Sequence, residues 1–193
     1  MPLPRARVFI LPAIAGLLVF LSRCTSPTVA DGGTETGNAH VMGYIRNADG
    51  SPAKNAVVRF ITVDHNPRAG LAKRAAVVDS TVTNDSGQYT LDSLAGGDYN
   101  VLASGDSGLS YQDSVTVLDD TTNQIPDDTL KAAGSLRGVV RLQPGDDARK
   151  VFLIALGTNS FASPGDSAGN FALPDMAEGQ YSVRILSILD DYG

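Results

Sequence analysis

The chain of 193 residues has no tryptophan, one cysteine and two histidines. A single cysteine excludes an internal disulfide framework and any multi-cysteine metal site. Two histidines leave little for histidine-based chemistry. Lys and Arg number 15 against 21 Asp and Glu, a net charge of −6, which argues against a nucleic-acid groove. After residue 24 there is no long apolar stripe at i, i+3, i+4, i+7, which argues against a helical body. Gly and Pro, by contrast, are plentiful at 20 and 10 residues. With 42% hydrophobic residues, that composition suits short strands joined by tight turns around a packed core.

Arg5 and Arg7 precede an uncharged run of 14 residues, Val8–Leu21. A bilayer-spanning helix needs about 20 apolar residues, so a short apolar run behind a positive start reads as a secretory signal. Leu21-Ser22-Arg23-Cys24 follows and resembles the bacterial lipobox, although Arg23 stands where that box carries a small residue. The resemblance implies lipidation at Cys24, which then becomes the mature N-terminus and the membrane partner. Thr25, rather than Asp, after the cysteine implies outer-membrane sorting in a Gram-negative cell, with the body periplasmic or surface-exposed. Loss of residues 1–23 leaves 12 Lys and Arg against 21 Asp and Glu. Residues 25–39 are polar with a single Val, too poor in apolar surface to offset backbone entropy, and are expected to be a tether.

The remainder repeats itself. Val41-Met42-Gly43-Tyr44-Ile45-Arg46 aligns with Leu136-Arg137-Gly138-Val139-Val140-Arg141 at an offset of 95. Both alternate with period 2, as a half-buried strand does. Asn84-Asp85-Ser86-Gly87-Gln88-Tyr89-Thr90-Leu91 aligns with Asp166-Ser167-Ala168-Gly169-Asn170-Phe171-Ala172-Leu173 at an offset of 82, and Gly97-Asp98-Tyr99-Asn100-Val101 with Gly179-Gln180-Tyr181-Ser182-Val183 at the same offset. The difference of 13 residues is a loop insertion in the first copy around His65–Gly70. The expected fold is all-β: two tandem β-sandwich modules, 40–132 and 134–193, behind a signal segment at 1–23 and a tether at 24–39. At the second offset, the counterpart of Asp113 would be residue 195. The second module is therefore expected to lack its last strand, and either further sequence or another chain covers that edge.

These blocks resemble the carboxypeptidase regulatory-like family, a transthyretin-like or prealbumin-like sandwich related to Ig-like modules. The carriers are V-x-G-x-I at Val41–Ile45, the Gly50–Val58 turn and strand, D-S-G-Q-Y-T-L at Asp85–Leu91 and L-A-G-G-D-Y-N-V at Leu94–Val101. The resemblance implies a non-catalytic accessory or surface module. Enzymes that carry such a domain use H-x-x-E, but three residues after His40 and His65 stand Gly43 and Arg68. No zinc peptidase, triad or G-x-S-x-G elbow is expected, and no metal or cofactor. The Lys and Glu of an intramolecular isopeptide bond are absent from the corresponding strands. The pairs Asp119-Asp120, Asp127-Asp128, Asp146-Asp147 and Asp190-Asp191 read as turn chemistry, because adjacent strand residues point apart.

The expectation is a lipid-anchored, non-catalytic envelope protein whose sandwiches serve as spacers or protein-interaction units. The alternatives are a carbohydrate-binding module and an accessory domain of a longer enzyme. A glycan surface would draw on Tyr44 and Tyr111, since sugar platforms need exposed aromatic faces and tryptophan is absent. For the anchor, Cys24→Ala should move the protein from the membrane to the soluble fraction and abolish palmitate incorporation, and Arg23→Gly should raise the processed fraction. Unchanged fractionation, with no label in the parent chain, would sink the anchor.

Overall fold

A computed structural model describes residues 37–68 and 78–187, all within one compact unit, Thr34–Gly193. The signal segment, Cys24, Thr25 and most of the tether lie outside the described residues.

Eight strands make the first half: β1 (Ala39–Arg46), β2 (Val57–Thr62), β3 (Val78–Val82), β4 (Gln88–Leu94), β5 (Gly97–Gly105), β6 (Gly108–Val117), β7 (Thr122–Gln124) and β8 (Asp128–Thr129). Strand β1 starts at Ala39, within the stretch assigned to the tether, because Ala39 is fully buried. One sheet has the order β4-β1-β7, with β8 also on β1; the other has β3-β2-β5-β6. The neighbours of β1 are antiparallel (β4) and parallel (β7, β8). Alternation sets the core. Val41 and Ile45 of β1, Val58 and Phe60 of β2, and Tyr99, Val101 and Ala103 of β5 all point between the sheets. Phe60 meets Tyr89 and Tyr99 at 6.2 Å between centroids in tilted and edge-on geometries, the arrangements that aromatic quadrupoles favour. Val117, Ile125 and Leu130 close the core from β6 and the segments after it.

The second half has β9 (Gly134–Val139), β10 (Val151–Ala155), β11 (Phe161–Ala162), β12 (Asn170–Met176) and β13 (Val183–Ser187). They pair as β12-β9 and β11-β10-β13. These pairings reproduce β4-β1 and β3-β2-β5. The turn of Gln143–Asp146 is closed by the Asp146 amide on the Gln143 carbonyl at 3.1 Å.

The repeat extends to single atoms. Gly87 and Gly169 take φ of +75° and +83°, and each lies where a Cβ would strike the carbonyl oxygen of Ile45 or Val140. The Ile45 amide donates to Gly87 O at 2.8 Å, and the Val140 amide to Gly169 O at 2.9 Å. Asn84 and Asp166 hold these turns by accepting from the amides of Gln88 and Asn170, both at 3.1 Å. The Tyr89 ring lies over Gly43, and the Phe171 ring over Gly138. Ser93 and Asp175 both adopt left-handed backbone, φ 66° and 53°. The Tyr99 hydroxyl donates to Ala95 O at 2.9 Å and the Tyr181 hydroxyl to Ala177 O at 2.8 Å.

Stability should follow these seats. Tyr89→Ala should cost about 3–5 kcal/mol, because its ring is almost fully buried. Gly87→Ala should cost clearly more than Gly50→Ala in urea unfolding. Both glycines have positive φ, but a Cβ at Gly50 meets nothing within 4 Å.

Candidate functional site

A sandwich uses one face of each sheet, and the outer face of β3-β2-β5-β6 is not left to solvent. On β2 and β5, Ile61 and Asn100 point outward and are cross-strand partners, yet both are buried. The second half covers them. The Asn100 amide donates from Nδ2 to Gly157 O at 3.1 Å and accepts from the Ser114 amide at 3.1 Å. Gly157 is confined by its neighbours: its φ is +66°, and a Cβ would run into Asn100 Nδ2. The Gly157 amide donates to His65 O at 2.9 Å. Burial pushes the His65 imidazole down from its ordinary value, opposed by a hydrogen bond with Asn159 and by the Asp64 carboxylate. A buried amide with both ends satisfied is a strong positional lock, since breaking either bond strands a polar group.

Tyr111 of β6 stacks on Tyr181, with centroids 4.5 Å apart and planes 23° off parallel. Gly179 lies so near the Tyr111 ring that a Cβ would press on Cδ1. Burial pushes the Tyr181 hydroxyl up to about 12 and raises Tyr111 as well. The Arg68 guanidinium sits 3.2 Å from the centre of the Phe152 ring. Lys131 Nζ and Glu178 Oε2 pair at 2.9 Å on the exposed rim. Between the halves remains a pocket of about 90 Å³, lined by Arg59, Ser104, Thr158, Ser160 and Asp175 among others. It has room for a few waters and not for a sugar ring.

The second feature is an open groove of about 560 Å³ at one end of the first sandwich, formed by the turns after β1 and β5. Asn47, Asp49, Lys54, Asp106 and Ser107 line it, and buried Leu130 floors it. The Ser107 hydroxyl donates to Asn47 Oδ1 at 2.6 Å. Asp49 accepts from the Ser51 hydroxyl at 2.6 Å and the Ser51 amide at 2.9 Å, which holds its carboxyl below the usual value. No aromatic ring lines the groove.

The sequence candidates fall apart in space. Tyr44 is half-buried opposite Gln88 in the β4-β1-β7 sheet, while Tyr111 is on the other sheet against Tyr181. They do not share a face, and the stack occupies one side of the Tyr111 ring. His40 bonds the Asp92 carboxylate, and His65 lies at the contact between the halves. Among the described residues no group of three or more His, Cys, Asp or Glu gathers to hold a metal. The residues that lock the halves, Asn100, Gly157 and Tyr181, are not candidates from the sequence. The one legible signal is an amide side chain in the middle of an apolar strand, Asn100 in Tyr99–Ala103.

Residues 40–131 match the model of the carboxypeptidase regulatory-like domain. No curated protein matches. Among solved structures, the chain is similar to a carbohydrate-binding candidate of Pseudomonas aeruginosa, at 15% identity and TM-score 0.32, over 49% of this chain and 90% of that one. It is also similar to a carbohydrate-binding candidate of Bacteroides uniformis, at 10% identity and TM-score 0.36, over 80% and 81%. The minor pilin of Streptococcus agalactiae matches at 13% identity and TM-score 0.31, over 78% and 84%.

The contact between the halves should be separable from the folding of each. Tyr181→Ala should destabilise the second half by about 2 kcal/mol and split one urea transition into two. Glu178→Gln should change nothing measurable, because that pair is exposed. Alkali should weaken both halves, because burial raises Tyr89 and Tyr99 in the first core as it raises Tyr111 and Tyr181 at the contact. The folded state prefers the neutral phenol, so stability is full below about pH 10 and falls as the pH rises through about 12. Urea unfolding followed by far-ultraviolet circular dichroism at pH 8 and 11 checks this.

Proposed function

We propose that this chain is an envelope-tethered, non-catalytic structural unit. Two β-sandwich halves, locked face to face, hold what is joined to them at a fixed distance and orientation from the membrane. The observation that carries this reading is the lock itself: Asn100 spent on Gly157 and Ser114, and Tyr111 spent on Tyr181. Modules joined only by a linker would leave those side chains in water. The match of residues 40–131 to an accessory-domain model supports the non-catalytic part. So does the placing of the two histidines, one at Asp92 and one between the halves, where neither can serve a shared reaction centre. The membrane end of the reading rests on Cys24 and its lipobox-like context.

Amide relaxation by NMR tests the reading. Strands β1–β8 and β9–β13 should report one rotational correlation time. Two distinct times would show independent modules and overturn the spacer.

A second reading has its own observation, the groove that gathers Asn47, Asp49, Lys54, Asp106 and Ser107 at one end of the first sandwich. Those groups suit the hydroxyls of a glycan. Pull-down on insoluble glycans decides between the two. Retention that Lys54→Ala and Asp106→Ala abolish would favour the glycan, and no retention would remove it.

A further inference from the structure

Asn84 holds the turn before β4 with one side-chain atom. Its Oδ1 accepts from the Ser86 amide at 2.9 Å, the Ser86 hydroxyl at 2.7 Å and the Gln88 amide at 3.1 Å. Two backbone amides on one end of the carboxamide fix that end as the oxygen. The other end, Nδ2, is turned away from those donors and has no hydrogen-bond partner among the described residues. Asn84, Asp85 and Ser86 are all exposed. The internal repeat shows that such a turn needs the oxygen and not the nitrogen. Asp166, the counterpart of Asn84, accepts from the Asn170 amide at 3.1 Å, and the residue two positions on is Ala168. Asp49 makes the shorter-range bond equally well, accepting from the Ser51 amide at 2.9 Å. A carboxylate therefore serves every job of the Asn84 oxygen. What sets Asn84 apart is an unused amide nitrogen with a hydroxyl two residues later. Of the nine asparagines in the chain, Asn84 alone has Ser or Thr at that place, and the residue between is Asp85 and not proline.

We infer that Asn84 is an N-glycosylation site, the acceptor of a glycan carried by a polyprenyl-pyrophosphate-linked oligosaccharide. In the transfer, Nδ2 attacks the anomeric carbon of the first sugar. The Nδ2–C1 bond forms as the bond from C1 to the pyrophosphate oxygen breaks, and the pyrophosphate leaves with that electron pair. One amide proton passes to a base, and nothing is oxidised or reduced. The turn is arranged for this step. Three hydrogen bonds on Oδ1 hold the amide plane, so Nδ2 is presented in one orientation. The Ser86 hydroxyl is bonded to the same carboxamide. Gly87 and Tyr89, both buried, anchor the turn to the sandwich. The Asp85 carboxylate, which an anionic donor would meet beside Asn84, pairs with Lys54 Nζ at 3.3 Å. The inference rests on the export part of the proposed function, because this modification belongs to surface loops of secreted chains.

Mass spectrometry of the full chain, isolated from the envelope of the cell that makes it, provides the test. The peptide that holds Asn84 should carry the added mass of an oligosaccharide, and fragmentation should place it on the Asn84 side chain. Asn84→Asp and Ser86→Ala should each remove the glycan, and Ser86→Thr should keep it. Urea unfolding separates loss of the acceptor from loss of the fold. Asn84→Asp should unfold at the midpoint of the parent chain made without the donor, because Asp166 holds the same turn in the second half. An unmodified Asn84 in chain recovered from the envelope would overturn the inference and leave the spacer reading standing. A glycan that survives Ser86→Ala would overturn it too, since the modification would then follow another rule. Chain recovered only from the cytosol would overturn the export on which both rest.

Discussion

Outward-facing apolar side chains on a sheet must be covered, and here Ile61, Leu102 and Tyr111 impose that constraint on the β2-β5-β6 surface. Burying a residue such as Ile61 is worth roughly 1.5–3 kcal/mol. Burying the Asn100 amide beside it costs a comparable amount unless both of its ends are bonded. Both conditions are met by one loop, in which Gly157 offers its carbonyl to Asn100 and its amide to His65. Only a residue without a Cβ can sit there. The placement of the second half and the stack of Tyr111 on Tyr181 both follow from covering that face.

The two halves show how one local code serves two environments. The turn glycines, the aromatic rings over Gly43 and Gly138, and the tyrosine hydroxyls bonded four residues back depend on contacts within a half, and they recur. The exposure of Val183 and Ile185 depends on what lies beyond β13, and it does not recur. Among the described residues β13 pairs with β10 alone, so the local geometry recurs there without the neighbour that β6 gives β5.

That division also explains what was legible in the sequence. The alternation of Val41–Ile45, the turns at Gly87 and Gly169, and the core positions of Tyr89, Tyr99 and Val101 are visible because period and turn chemistry are local. Tyr111 shows the opposite case. Its stacking partner lies 70 residues on, in the Gly179–Val183 block, whose likeness to Gly97–Val101 gives no sign of the contact. His65 behaves likewise: in a loop insertion it reads as a solvated side chain, and it proves to border the other half. The groove of Asn47, Asp49 and Lys54 is hidden for a related reason, since its far wall, Asp106 and Ser107, comes from the turn between β5 and β6.

The position of β1 bears on mechanics. It is the first strand among the described residues, and it lies inside its sheet, with β4 along one edge and β7 and β8 along the other. A pull transmitted from the N-terminus would run along β1, parallel to its own axis. The ladder to β4 and the shorter ones to β7 and β8 would then be loaded together, in shear. A terminal strand on the outside of a sheet would instead peel away one bond at a time. The same interior placement that buries Ala39, Val41 and Ile45 thus makes β1 the part of the fold best arranged to resist a pull on the N-terminal side.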